Sequence, residues 1–374
     1  MKSNEVETAE KLILVDKKET LTRITLNRPK ALNAINLQMV NQMIKAMQIA
    51  QTDGTRIIII DGAGERGLSG GGDIKEMAAE NAKNAPKFIS REYELDLMIA
   101  TSKVPVIGIM SGITMGGGIG LSGHSHLRIV TETSRLAMPE TKIGIMPDVG
   151  GNLLLSKSPG KLGEYLALTA TNMDAADAIA LGFADLFVPE AKIEQFIEEL
   201  NATNLEETDF YQIANTYADE PGPSALLKEQ KWIDPLLERA FKKLTEVTTE
   251  NMSEPGARAL AESAISSVQT LVNLTESSDK NEHVALAKTL REMSPTSLAV
   301  SIAQIARTRA LGLGIKEVLE DDLRILTRLF NRPDFVEGVR ALVIDKDQSP
   351  KWKPERIEQL DASEVARVLD PQQV

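Results

Sequence analysis

Residues 111–122 read SGITMGGGIGLS, and residues 135–151 read RLAMPETKIGIMPDVGG. The glycine run at 116–118 follows an apolar, strand-like run and leads into small and apolar residues that can begin a helix. Glycines at such a junction let the backbone approach a ligand closely, with free amide hydrogens pointing at it. Two carboxylates, Glu140 and Asp148, come later in the unit, each directly after a proline. Backbone donors together with two acids predict a site that stabilises a developing oxyanion and moves protons.

The chain around this unit alternates strand-like and helix-like runs. Apolar or alternating residues at 12–15 and 21–26, separated by a polar run, predict a β-hairpin. Residues 33–36 offer caps for a helix, and the all-β-branched run at 57–60 predicts a strand covered on both faces. Further strands are expected at 104–110, 127–131, 135–138 and 184–188, and further helices at 86–102, 161–169 and 174–181. This alternation implies β/α repeats around a largely parallel sheet.

A second glycine-rich segment, residues 62–73, holds six glycines in twelve residues. An apolar strand precedes it and the helical sequence DIKEM at 73–77 ends it. A flexible linker is the alternative interpretation, but these flanks favour a loop whose amides face a ligand at the start of a helix. The segment is not a Walker motif, because no Gly-Lys-Ser/Thr closes it.

The pattern changes to helices after about residue 190. Apolar residues recur at helical spacing over 257–272, 295–313 and 315–330, and Pro255 with Gly256 marks a break. The predicted organisation is a core over residues 1–200 and a helical C-terminal region over residues 201–374 that packs on it.

Charge and composition limit the partners of the chain. It has 374 residues, with 42 basic and 54 acidic side chains, which gives a net charge of −12. This charge disfavours nucleic acid or an anionic membrane as the main partner. No apolar run approaches the roughly 18 residues of a membrane span. The N-terminal MKSNEVETAE resembles neither a secretory signal nor a transit peptide, so we expect a cytoplasmic, untargeted protein.

Metal and thiol chemistry have little support in the sequence. The chain has no cysteine, which excludes disulfides, a thiol nucleophile and a cysteine metal site, and fits a reducing compartment. The histidines His124, His126 and His283 form no His-Glu-x-x-His pattern. We therefore expect structural roles for His124 and His126, and no metal site.

Four stretches resemble one family. They are ITLNRPKALNAI at 24–35, SGGGDIKEM at 69–77, the unit at 111–151, and EGVRALVIDKDQSPKWKP at 337–354. On these motifs the chain resembles the crotonase (enoyl-CoA hydratase/isomerase) superfamily, and within it the 3-hydroxyisobutyryl-CoA hydrolases, to which the last stretch is specific. The resemblance implies an α/β fold with a crotonase-like ββα spiral core and an extended helical C-terminal region. We expect the last stretch to fold over the core, with Trp352 as a packing anchor.

The resemblance also implies the parts of an acyl-CoA site. The thioester oxygen would be held by the backbone amides of Gly72 and Gly117, which form the oxyanion hole. Substrate contacts are implied for Glu92, Gly117, Glu140 and Asp148, and for the segment along the CoA path, which comprises Asp73, Ile74 and Lys75. Glu140 would either attack the thioester carbonyl or activate a water that attacks it. Asp148 would orient the substrate 3-hydroxyl and assist proton transfer as CoA thiolate leaves.

Two departures from the family pattern bear on the reaction. Hydratases of the superfamily place a glutamate where this chain has Gly120, and usually a small residue where it has Asp148. Loss of one acid and gain of another argue against hydration. The loop sequence LSGGGD differs from that of most of the hydrolases, which have an aromatic residue, a cysteine and an alanine before the last two glycines. This difference concerns the shape of the acyl pocket more than the type of reaction.

The resemblance implies hydrolysis of a short 3-hydroxyacyl-CoA thioester, as in valine breakdown. It implies no metal or redox cofactor, because CoA arrives as part of the substrate. The small-molecule substrate is the expected partner, and a homo-oligomer is possible because superfamily members often form trimers. The alternatives are an enoyl-CoA hydratase or isomerase, disfavoured by Gly120 and the long helical region, and an acyl-CoA-binding protein without catalysis.

Overall fold

The expected alternation of strands and helices is present in the computed structural model, which describes residues 11–205, 208–246 and 257–370. Strands β1 to β8 are, in order, Ile13–Lys18, Leu21–Leu26, Ile57–Gly62, Val106–Ile109, Ile113–Met115, Leu127–Val130, Arg135–Ala137 and Leu186–Phe187. One sheet has the order β1-β2-β3-β4-β6-β8, and a second pairs β5 with β7. Among the strand pairs of the described residues, only β1 with β2 is antiparallel, so the prediction of a largely parallel sheet is confirmed.

Helices α1 to α8 belong to the part of the chain that contains the sheets. They are, in order, Leu37–Ala50, Ile74–Ala78, Ala85–Ala100, Gly117–Ser122, Gly151–Lys157, Leu162–Thr169, Ala175–Ala180 and Glu190–Ala202. Helices α9 to α17 follow as Phe210–Tyr217, Ala225–Ala240, Lys242–Thr245, Ala257–Glu276, Asn281–Glu292, Pro295–Leu311, Ile315–Phe330, Pro333–Val339 and Ala362–Leu369. A π-helical turn, Arg340–Ile344, follows α16 directly. The predicted change to helices in the second half of the chain is confirmed.

Strand β3 begins with four β-branched residues, and its packing explains them. All four isoleucines of its first four positions are buried. Ile58 and Ile60 pack into the large apolar core, whereas Ile57 and Ile59 pack on the other face of the sheet, against residues of α8 such as Phe196. Both faces of the strand are therefore covered, as a parallel strand between layers requires.

Helix α3 packs against helices from both halves of the chain. It packs against α1 on one side and against α15 of the C-terminal half on the other. A single apolar cluster extends from Ile13 to Leu369, so residues of both halves of the chain share it. The division into a core and a packed C-terminal region at residue 200 stays a prediction.

The last stretch of the family resemblance folds over the core. Trp352 is buried, and its Nε1 donates a hydrogen bond to the backbone oxygen of Glu292 at 3.0 Å. The expected packing role of Trp352 is confirmed. The predicted break at residues 255–256 and the N-terminal residues 1–10 lie outside the described ranges. Within those ranges, no helix combines the length and the apolar character that crossing a membrane requires.

Candidate active site

The two glycine-rich loops lie side by side because their backbones are hydrogen-bonded to each other. The amide of Ser69 donates to the oxygen of Ile113 at 3.1 Å, and the amide of Met115 donates to the oxygen of Ser69 at 3.0 Å. The hydroxyl of Ser69 donates to the backbone oxygen of Asn33 at 2.9 Å and accepts from the amide of Gly71 at 3.1 Å. The serine that departs from the family pattern thus fixes the first loop.

This pairing brings the amides of Gly72 and Gly117 together. Gly71 has φ +96° and Gly116 has φ +47°, a backbone region in which a side chain is strained. A Cβ atom on Gly117 would lie 3.3 Å from the amide nitrogen of Gly72. Neither amide donates a hydrogen bond to another described residue. Two adjacent donors are therefore available to a ligand.

Both glycines open onto a cavity of about 390 Å³. The cavity is also lined by Glu92, Glu140, Asp148 and Ile74, so six of the eight residues predicted for the site meet here. The rest of its wall is mostly apolar and includes Met77, Phe88, Ile143, Ile145, Leu342 and Val343. The last two belong to the π-helical turn, so the helical half of the chain contributes to the wall.

Glu140 faces the second glycine loop. It begins a 3₁₀ turn, Glu140–Ile143, directly after Pro139, and the turn ends at Gly144 with φ +78°. One carboxyl oxygen lies 3.0 Å from the position of a Cβ on Gly116, and the other is buried without a hydrogen-bond partner among the described residues. Burial raises the pKa of Glu140 well above its usual value, and the charge of Asp148 raises it further.

Asp148 lies at a strained turn. The next residue, Val149, is β-branched but has φ +51°, which costs on the order of 1–3 kcal/mol and is typical of functional sites. The hydroxyl of Tyr93 donates to Oδ2 of Asp148 at 2.6 Å. Burial raises the pKa of Asp148 to about 6, although the Tyr93 hydrogen bond opposes this shift.

Distant residues hold this turn in place. Asp322 of α15 accepts hydrogen bonds from the amide of Gly150 and from Nδ2 of Asn152, both at 3.1 Å. Nε2 of His124 lies 3.0 Å from the backbone oxygen of Val149. Burial lowers the pKa of His124 to about 4, so its ring is neutral and donates to that oxygen. His124 therefore has the structural role that was expected.

The ring of His126 is also used structurally, since Nδ1 accepts a hydrogen bond from the amide of Val106 at 3.2 Å. Among the described residues, no group of three or more histidine, aspartate or glutamate side chains is arranged to hold a metal ion.

Helix α3 carries two further acids toward the site. Glu92 and Asp96 are buried one helical turn apart, and burial raises the pKa of both well above their usual values. Sequence reasoning named Glu92 but missed Tyr93, Asp96 and Asp322. The signal for the first two was present: they fall on the buried stripe of α3, among Phe88, Ile89, Leu95 and Ile99. Acids on an apolar stripe indicate a buried polar site.

Two predicted contacts lie outside the cavity wall. Asp73 caps α2, where it accepts from the amide of Glu76 at 3.3 Å, and it forms an ion pair with Arg28 at 3.1 Å. Lys75 is exposed on the first turn of the same helix. Their contact with CoA stays a prediction.

Known proteins resemble the chain over nearly its whole length. A family model described as enoyl-CoA hydratase/isomerase matches residues 21–369. The mitochondrial 3-hydroxyisobutyryl-CoA hydrolase of Xenopus laevis is 36% identical over 348 residues, which are 90% of this chain and 83% of the relative. The human mitochondrial 3-hydroxyisobutyryl-CoA hydrolase is 35% identical, over 94% of this chain and 87% of its own. A crystal structure of a carnitinyl-CoA dehydratase from Mycobacterium thermoresistibile has a TM-score of 0.81 and 32% identity, covering 96% of this chain and 97% of that one.

Proposed function

The chain belongs to the enoyl-CoA hydratase/isomerase family, and within it we propose that the chain hydrolyses a short 3-hydroxyacyl-CoA thioester of the 3-hydroxyisobutyryl-CoA type. The products are the free hydroxy acid and CoA. Relatives that carry this activity in their names match about nine-tenths of the chain, which confirms the resemblance to the hydrolases. The solved relative covers both halves, which confirms the crotonase-like fold with its helical C-terminal region.

The observation that carries the proposal is a carboxyl group next to two free amides. Glu140 lies against the loop whose Gly117 amide, together with that of Gly72, is available to a ligand. A thioester oxygen bound by these amides has its carbonyl carbon within reach of Glu140. Negative charge develops on that oxygen during attack, and one such donor is worth on the order of 10²–10³ in rate. The pair of amides is the proposed oxyanion hole.

Two routes lead from this geometry to hydrolysis. In the first, a Glu140 oxygen bonds to the carbonyl carbon, the C–S bond breaks, and water then hydrolyses the mixed anhydride. In the second, Glu140 takes a proton from a water whose oxygen bonds to the same carbon. In both, the CoA thiolate leaves and takes up a proton, so one water is consumed. Repeated turnover in ¹⁸O-labelled water distinguishes them, because only the anhydride route, through attack of water on the Glu140 carbon of the anhydride, leaves label in Glu140.

Asp148 is the proposed partner of the substrate 3-hydroxyl. Its carboxyl lines the same cavity as Glu140, and Tyr93 fixes one of its oxygens, which leaves the other for the substrate. The apolar wall around them suits a short acyl chain.

We propose that no metal or redox cofactor takes part, because the acids and amides supply the groups that thioester hydrolysis needs. Action in valine breakdown is part of this proposal. A cytoplasmic location and a homo-oligomer also stay proposals, and the two animal relatives are named mitochondrial.

The test is to incubate the protein with 3-hydroxyisobutyryl-CoA and with crotonyl-CoA, following free thiol and loss of the enoyl double bond. Thiol release from the hydroxy substrate supports hydrolysis. Double-bond loss without thiol release identifies a hydratase instead, and binding without either signal identifies a non-catalytic acyl-CoA-binding protein.

The variant Glu140→Gln should lose about 10²–10⁴ in kcat, the usual contribution of a group that transfers protons. Glu94→Gln is the matched control, because Glu94 lies on the exposed face of α3, where it pairs with Arg91. Full activity in both variants would remove Glu140 from the mechanism.

A further inference from the structure

Asp96 is a buried acid for which the proposed reaction has no use. Its side chain is completely buried, and neither carboxyl oxygen has a hydrogen-bond partner among the described residues. It does not line the cavity. A carboxyl group in this state costs stability, because it has lost its hydration without gaining a partner. Positions that break the rules of packing in this way are expected at functional sites.

The backbone of α4 leaves space for this carboxyl group. A Cβ atom on Gly120 would lie 2.8 Å from one oxygen of Asp96 and 2.9 Å from the other. Gly120 therefore does more than permit close packing of helices, since any larger residue would displace the acid of the neighbouring helix. The carboxyl group that lies beside Gly120 is therefore that of Asp96, which belongs to α3.

Glu92 has the same relation to the same helix one turn earlier. A Cβ atom on Gly117 would collide with Oε1 of Glu92, and this oxygen also lacks a partner among the described residues. Residues four apart on a helix project on one face. Glu92 and Asp96 therefore stand together along the glycine face of α4, with Glu92 at the cavity and Asp96 behind it.

Among the described residues, the charges that act on Asp96 are all negative. Glu92 comes from its own helix, Asp148 from the strained turn and Asp322 from α15, and each raises the pKa of Asp96 beyond the effect of burial. Tyr93, also on α3, is occupied by Asp148. From α1 and α4, which also pack on α3, no charged group among the described residues acts on Asp96. Two charged carboxylates here would repel each other strongly.

We propose that Asp96 is a positioning residue that acts through Glu92: the two carboxyl groups share one proton, and the bond between them holds Glu92 against Gly117. A shared proton halves the charge of the pair and gives both unpartnered acids a partner. The pair thereby fixes the side of the cavity that receives the thioester. This inference rests on the proposed function, because it assigns Asp96 to the same site.

Two substitutions with the same number and branching of side-chain heavy atoms separate this role from simple packing. Asp96→Leu removes the polar group, whereas Asp96→Asn keeps a neutral donor for Glu92. We expect Asp96→Leu to lower kcat for 3-hydroxyisobutyryl-CoA by about 10- to 100-fold with little change in KM, the loss typical when a supporting group is removed. Asp96→Asn should restore kcat close to the wild-type value. Wild-type kcat in Asp96→Leu, or an equal loss in both variants, would overturn the proposal.

Infrared spectroscopy gives a readout that does not depend on activity or on the folding of Asp96→Leu. The difference spectrum of wild type and Asp96→Asn near neutral pH should contain the C=O band of a protonated carboxyl group in the wild type only. An unchanged band would mean that Asp96 is ionised, and would overturn proton sharing. If the wild type releases no thiol, the proposed function fails, while the infrared result still decides whether Asp96 carries a proton, which sharing requires.

Discussion

Two carboxyl groups of the cavity, Asp148 and Glu140, are both buried but differ in what surrounds them. Asp148 accepts a hydrogen bond from Tyr93, which opposes the effect of burial, and its pKa is about 6. Glu140 has an oxygen without a partner among the described residues, and burial, followed by the charge of Asp148, raises its pKa well above its usual value. Asp148 therefore ionises first as the pH rises, and Glu140 holds its proton longer.

This order sets the pH dependence of hydrolysis. If Glu140 must be ionised to react, kcat/KM of the wild type should keep rising with pH above about 6, where Asp148 is already charged. Asp148→Asn removes that charge, which lowers the pKa of Glu140. We expect the acidic limb of the pH profile to move to lower pH in this variant, while kcat itself falls. A limb that stays in place would show that another group controls it.

A second prediction at the scale of a residue concerns binding of CoA. Lys142 is exposed and is the only lysine or arginine among the described residues that line the cavity. An exposed charge contact is worth up to about 1 kcal/mol, so Lys142→Ala should raise KM for the anionic substrate several-fold with kcat unchanged. Lys75→Ala is the comparison, because the sequence predicts a CoA contact for Lys75 although it lies outside the cavity wall. A larger effect at Lys75 would support the contact that the sequence predicts for it.

At the scale of an element, local pattern was sufficient for most of the fold. Some elements are determined by residues that are close together in the sequence. Examples are the β-branched run of β3, the Asn36 cap of α1 and the helical spacing in α15. The two glycine loops could also be predicted as amide donors. Their juxtaposition, and the role of Ser69 in it, depends on pairing between segments far apart in sequence, which a local pattern does not contain.

The residues missed by the sequence share this dependence on tertiary packing. Asp322 reaches the Asp148 turn from α15, and its i, i+3 and i, i+4 neighbours give no indication of that contact. Asp96 could have been noticed on the buried stripe of α3, but its relation to Gly120 requires the packing of α3 on α4. The sequence therefore predicts the site residues that lie in recognisable motifs, but not the residues that hold them in place.

The π-helical turn Arg340–Ile344 carries a prediction about specificity. Its Leu342 lines the cavity, whereas Ile344 points to solvent and is 59% exposed. Leu342→Ala should enlarge the acyl end of the cavity. We expect kcat/KM for longer 3-hydroxyacyl-CoA substrates to rise about tenfold relative to that for 3-hydroxyisobutyryl-CoA, which is the discrimination that a pocket gives for one to two methylene groups of substrate. Ile344→Ala is the control. Unchanged selectivity in both variants would place the acyl chain elsewhere in the cavity.

At the scale of the whole molecule, the site is built from both halves of the chain. The amides and acids come from the part that contains the sheets, while the C-terminal half supplies Asp322, which holds the Asp148 turn, and part of the cavity wall. Helix α15 packs directly on α3, which carries Glu92 and Asp96. The C-terminal helices therefore contribute to the site itself, because they contact the Asp148 turn and line part of the cavity.

This shared construction predicts how the protein unfolds. Because one apolar cluster extends from Ile13 to Leu369, the predicted regions 1–200 and 201–374 should not melt separately. Calorimetry should give a single transition whose calorimetric and van't Hoff enthalpies agree. Asp322→Ala removes two hydrogen bonds at the junction and should lower the stability of the whole molecule by about 1–3 kcal/mol, moving this transition without splitting it. Two resolved transitions, of which only one responds to Asp322→Ala, would show instead that the two regions are independent units that meet at the site.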